Sequence, residues 1–219
     1  NRIHPKPDQI KIEQIQKVAE QIKEFDQIFT TNYDLFSYYL ILESKKFGDY
    51  FYFENYDDNR FKLFNSGDKQ NNNHIYYLHG ALFLFDKSIN TLKIKRDENW
   101  LIEVITKEIT SDNYPLFISE GTYKMKLKAI QSNNYLSYCF RHLKENKSKK
   151  MVVFGQSLSN QDLHIVQAID NNYEKIAYGI RITESKKMNE IKAELNRVRS
   201  LFKNTEIEFF DSSTLFNFE

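Results

Sequence analysis

The stretch Met151-Val152-Val153-Phe154-Gly155-Gln156-Ser157-Leu158-Ser159-Asn160-Gln161-Asp162-Leu163-His164 reads as an apolar strand, a glycine turn and the opening of a helix. The helix continues to Asp170, and a strand (Lys175 to Arg181), a helix (Glu184 to Phe202) and a last strand (Glu206 to Phe210) follow. Upstream the same alternation holds. Asp8 to Phe25 carries Ile12, Ile15, Val18, Ala19 and Ile22 three or four residues apart, which predicts a helix with Asp8 near its N-cap. Gln27 to Thr31 reads as a strand and Tyr33 to Phe47 as a helix. His74 to His79 is an apolar strand, Glu98 to Thr110 a helix, and Pro115 to Ser119 a strand opened by proline. Thr122 to Asn133 and Asn134 to Glu145 read as one broken helix or two. Strands alternating with helices predict an α/β fold, a mostly parallel Rossmann-like sheet with helices on both faces. One domain over 1–219 is expected, with insertions or hairpins at 48–73 and 81–97.

Composition removes several function classes. The chain has 219 residues, and Lys+Arg (31) against Asp+Glu (30) leaves +1, so no strong field draws nucleic acid. The hydrophobic fraction of 41% can fill a core, whereas a mean hydropathy of -0.63 argues against a membrane-embedded chain. No apolar run approaches the ~18 residues of a membrane span. The single cysteine, Cys139, excludes a disulfide framework and a multi-cysteine zinc ribbon, and suits a reducing cytoplasm. Six widely spaced glycines include no G-x-G, so neither a dinucleotide fingerprint nor a Walker-type loop is present. The chain opens on Asn1 without methionine, and a preceding segment is expected. No secretory or transit signal is read at this end.

In parallel sheets ligands bind beyond the carboxyl ends of the strands, which singles out four places. In Thr30-Thr31-Asn32-Tyr33-Asp34, Thr31 or Asn32 caps a helix and Asp34 favours its first turn, or Asn32 and Asp34 face a ribose or a reactive water. In Leu78-His79-Gly80, His79 is a general base near neutral pH, or it plugs the sheet edge through backbone hydrogen bonds. Gly155, Ser157 and Ser159 form a nucleotide shelf, or an ordinary strand–turn–helix capped by Ser159 or Asn160 with Asp162 in its first turn. Asp162 and His164 are two apart, a spacing that shares no helix face, so no joint metal site is expected there. In Ser119-Glu120-Gly121-Thr122, Glu120 binds a ribose hydroxyl or merely sits near a helix start.

In the order T-T-N-Y-D, L-H-G and G-Q-S-L-x-x-x-D, the sequence resembles the sirtuin-like superfamily. It is most similar to a bacterial group of sirtuin-like proteins of unknown function, through Tyr77 to Ala81, Tyr114 to Ile118 with Glu120-Gly121-Thr122, and Phe154 to Leu158. The resemblance spans roughly Ile28 to Phe210. It implies NAD as substrate or ligand, with Asn32 orienting the ribose or a water, His79 as base and Asp34 supporting the pocket. Thr31, Glu120, Gly155, Ser157 and Asp162 become candidates for holding the cofactor, Ser157 on the adenosine side. No metal is implied. Without a zinc ribbon the expected activity is NAD hydrolysis at the nicotinamide–ribose bond, and bacterial defence by NAD depletion follows, rather than protein deacetylation. The family's glycine-rich first strand and turn have no counterpart here and are expected before Asn1.

The alternative is a non-catalytic module binding a nucleotide or a protein partner, or forming a homo-oligomer. Aromatic residues make up 15% of the chain, and Tyr50, Phe51, Tyr52, Phe53 and Tyr56 would mark an interface if exposed. A metal hydrolase is disfavoured because the histidines fall in separate elements.

Overall fold

Of the three sheets among the described residues, two are wholly parallel, and they occupy different parts of the chain. The computed structural model describes residues 11–54, 58–67, 73–87, 89–96, 100–146, 148–183 and 187–216. The chain divides into two compact units, one of Asn1–Ser119 with Ala129–Cys139, the other of Glu120–Lys128 with Phe140–Glu219. Among the described residues there are seven α-helices and three small sheets, an α/β fold. No helix among them is long and apolar enough to cross a membrane.

In the first unit, helix α1 (Ile12–Ile22) buries Ile15, Val18 and Ala19, the middle of the stripe that its periodicity predicts, while Ile12 at its start is exposed and Ile22 half-buried. The expected cap Asp8 lies outside the described residues. Strand β1 (Gln27–Thr30) leads to α2 (Phe36–Ser44), which starts three residues later than the pattern suggests. The Asp34 carboxylate accepts the Phe36 N–H at 2.8 Å, so the chain turns before it can wind. Lys45, at φ 55°, ends the helix in the left-handed region. Short β2 (Phe47–Gly48), β1 and β5 (Asn73–Tyr77) make a parallel sheet in the order β1-β5-β2.

A second sheet of this unit has the order β3-β4-β7-β6-β8, with β3 (Phe51–Glu54), β4 (Phe61–Phe64), β6 (Gly80–Lys87), β7 (Asn90–Ile94) and β8 (Pro115–Phe117), all antiparallel. The single, mostly parallel Rossmann-like sheet expected from the sequence is therefore not what forms. The segments read as insertions pair with each other and recruit β8, leaving each parallel sheet with three strands. Gly80 makes this possible. At φ +79° it reverses the chain after β5, and a Cβ on it would lie 2.1 Å from the Leu116 carbonyl oxygen.

Aromatic side chains fill the space. Phe61, Phe83, Phe85, Tyr77 and Tyr135 are fully buried, with Phe61 and Phe85 rings 5.5 Å apart and Tyr77 and Phe83 rings 5.2 Å apart, edge to face. Tyr50 and Phe51 belong to this core, at 8% and 2% exposure, so these two do not mark an interface. Tyr56 and the Phe53 side chain lie outside the described residues. Helix α3 (Leu101–Thr110) buries Leu101, Val104 and Ile105. The broken-helix question resolves as two helices, α4 (Tyr123–Ser132) and α5 (Asn134–Lys144). Asn133 separates them, its side-chain oxygen accepting the Leu136 N–H at 2.9 Å as an N-cap does.

The second unit has a parallel sheet in the order β11-β10-β9, from β9 (Lys150–Val153), β10 (Lys175–Ile180) and β11 (Glu206–Asp211). Helix α6 (Leu163–Asn172) connects β9 to β10, and α7 (Met188–Leu201) connects β10 to β11. Residues 160–162 form a 3-10 turn before α6 rather than its first turn.

Candidate functional site

In the first unit the parallel register of β1 and β5 aligns Thr30 with Tyr77, and the Leu78 N–H extends the ladder to the Thr30 carbonyl at 2.9 Å. The T-T-N-Y-D and L-H-G segments therefore leave neighbouring strands side by side, at the carboxyl edge of one sheet. Asn32 is exposed, its N–H held by the Thr30 hydroxyl at 3.1 Å, while Thr31 and Asp34 are half-buried. Asp34 closes the turn ahead of α2 through the Phe36 N–H and lies before the N-cap, Leu35, rather than in the first turn of the helix. His79 is 2% exposed, and its carbonyl accepts the Ile118 N–H at 2.8 Å. Tyr33 knits the edge together. Its hydroxyl donates to the Ile118 carbonyl at 2.6 Å, and its own carbonyl accepts the Leu82 N–H at 3.3 Å. The Phe117 ring lies 5.3 Å from the Tyr33 ring, at 40% exposure. The backbone at positions 32, 79 and 117 is thus brought close together, with Asn32 exposed, His79 buried and Phe117 half open.

In the second unit the carboxyl edge of β9 carries a fixed loop. Gly155 (φ +67°) and Leu158 (φ 49°) are both left-handed. A Cβ on Gly155 would meet nothing within 4 Å, so this glycine serves the backbone turn rather than a close approach. Tyr178 donates its hydroxyl to the Gln156 carbonyl at 2.7 Å. Arg197 of α7 donates Nη2 to the Ser157 carbonyl at 2.7 Å and Nη1 to the Leu158 carbonyl at 3.2 Å. Ser157 is exposed. Ser159 flanks the 3-10 turn without a side-chain capping bond to the backbone, its hydroxyl instead 3.5 Å from Asp162 Oδ2.

Asp162, expected among the cofactor ligands, is 9% exposed and holds Lys126 Nζ at 3.0 Å. His164 is 1% exposed. Burial pushes its pKa down to about 4, with Asp162 partly opposing and Lys126 reinforcing the shift. Glu120 is exposed, next to Gly121 at φ +105°.

Sequence reasoning missed Phe117, Lys126, Tyr178 and Arg197. Lys126 sits in a run with Lys124 and Lys128 that reads as solvated helix surface, and nothing local distinguishes the buried one. Arg197 is one of many charges on α7, and only the return of that helix alongside the β9 loop gives it carbonyls to bind. Phe117 looks like any residue of an apolar strand until its ring is found half open. The edges of both parallel sheets lie within a stretch that one family model covers almost from end to end. No curated protein matches the chain. A domain of unknown function, DUF4917, matches residues 1–216, and the chain belongs to that family.

Proposed function

We propose that the protein is sirtuin-like, binds NAD and hydrolyses it at the nicotinamide–ribose bond. The observation that supports this reading is the adjacency of the 31–34 and 78–80 segments at the carboxyl ends of β1 and β5. In the reaction nicotinamide departs with the electron pair of the C–N bond, neutralising its ring nitrogen. Water adds to the cationic sugar carbon, and the proton it loses goes to His79, giving ADP-ribose. Asn32 orients that water, since an amide both donates and accepts. Asp34 supports the pocket by closing the turn that follows Asn32, while the Thr30 hydroxyl holds the Asn32 N–H. Removing a general base typically costs 10²- to 10⁴-fold in rate.

The test is nicotinamide release from NAD by the chain, alone and extended at its amino end. Asn32→Ala and His79→Gln are compared with the unsubstituted protein, and thermal melting checks that each variant folds. Loss of turnover in both folded variants is expected. Equal rates in all three would overturn the hydrolase reading, and tight NAD binding without product would leave a binding module.

A further inference from the structure

We propose that Phe117, backed by Tyr33, is the platform on which a planar nitrogen heterocycle of the ligand stacks, the pyridine ring of nicotinamide in the reaction above. This rests on the proposed NAD chemistry and adds to it a residue that contacts the leaving group. Phe117 pairs with Gly80 across β8 and β6, and the next residue, Ile118, is bonded to the His79 carbonyl. One side of its ring lies against Tyr33 at 5.3 Å, with an interplanar angle of 49°, while 40% of the residue stays open.

The backing ring is fixed. Tyr33 is anchored by its hydroxyl to the Ile118 carbonyl and by its carbonyl to the Leu82 N–H. A half-exposed aromatic ring backed by an anchored tyrosine, one residue from the backbone bond to His79, differs from a scattered surface phenylalanine, because ordering it on binding costs little further entropy. Stacking on an aromatic side chain also accepts any flat heterocycle, so the adenine end of a nucleotide is the competing occupant.

The experiment measures binding of NAD, nicotinamide mononucleotide and AMP by calorimetry to the chain and to Phe117→Leu, Phe117→Trp and Tyr33→Phe, with thermal melting of each. Leucine keeps bulk and removes the π face, so about a tenfold loss for NAD and nicotinamide mononucleotide is expected, with AMP unchanged. Phe117→Trp should restore or tighten binding. Tyr33→Phe should weaken it less than Phe117→Leu does. Unchanged affinity in a folded Phe117→Leu overturns the platform and leaves NAD chemistry standing. A loss confined to AMP overturns the assignment to nicotinamide. Binding that depends on Phe117, without turnover, keeps the platform and removes the hydrolase. No binding of NAD or nicotinamide mononucleotide by the unsubstituted chain removes both.

Discussion

Replacing Lys126 with methionine keeps the length of the side chain and deletes its charge, taking the cation away from the buried Asp162 carboxylate of the second unit. The pair is sheltered, with side-chain exposures of 5% and 12% and an Nζ–Oδ1 distance of 3.0 Å. At an effective dielectric of about 20 the attraction across such a distance is on the order of 5 kcal/mol, and desolvating the two ions consumes most of it. The net worth of the pair is therefore small, but the cost of breaking it is not. Lys126→Met and Asp162→Asn should each lose about 3–5 kcal/mol, since each leaves one buried charge without its opposite. The double variant Lys126→Met/Asp162→Asn should recover most of that loss. Urea unfolding followed by far-UV circular dichroism gives the three free energies. Hydrogen exchange of the β9 and β10 amides localises the effect, and Trp100 fluorescence follows the first unit separately. An independent check is the His164 titration by NMR. Because Lys126 lowers that pKa and Asp162 raises it, Lys126→Met should move it up and Asp162→Asn down. Single variants losing less than about 1 kcal/mol, or a double variant as unstable as the sum, would refute the buried-pair reasoning.

Gly80→Ala should destabilise by about 3 kcal/mol, combining left-handed strain with a Cβ driven into the Leu116 carbonyl, and chemical denaturation would register it. A loss below about 1 kcal/mol would mean that β8 shifts freely. His164 carries an acid-sensitivity whose sign is fixed by its depressed pKa. The unfolded chain protonates near 6.5 and the folded one near 4, so the stabilisation is complete above 6.5 and disappears as pH falls towards 4. That contribution is on the order of 2–3 kcal/mol, and His164→Gln should flatten the stability profile in this window if the variant folds. A slope unchanged in His164→Gln would assign the acid-sensitivity to other groups.

The α/β class and most helices and strands were readable in the sequence, because they follow from local periodicity and from turn residues that act within a few positions. Met151 to Phe154, with Gly155 after it, is such a case: an apolar run and a left-handed glycine need no distant partner to be recognised. The carboxyl-edge residues of β1 and β5 were readable for the same reason, since a polar group directly after an apolar strand lies at a sheet edge by construction. Which strands pair was not readable. Pro115 to Phe117 looks equally fit for a parallel or an antiparallel sheet, and the choice falls to the backbone reversal at Gly80 and the bond the His79 carbonyl then accepts from the Ile118 N–H. Nor could spacing reveal that Lys126 is buried against Asp162, 36 residues away, or that Phe117 leans on Tyr33 across 84. Those pairings depend on packing between elements remote along the chain, where burial selects one residue from several chemically identical neighbours. The amino-acid order determined the elements and their polar ends, and tertiary packing decided which of those ends became neighbours.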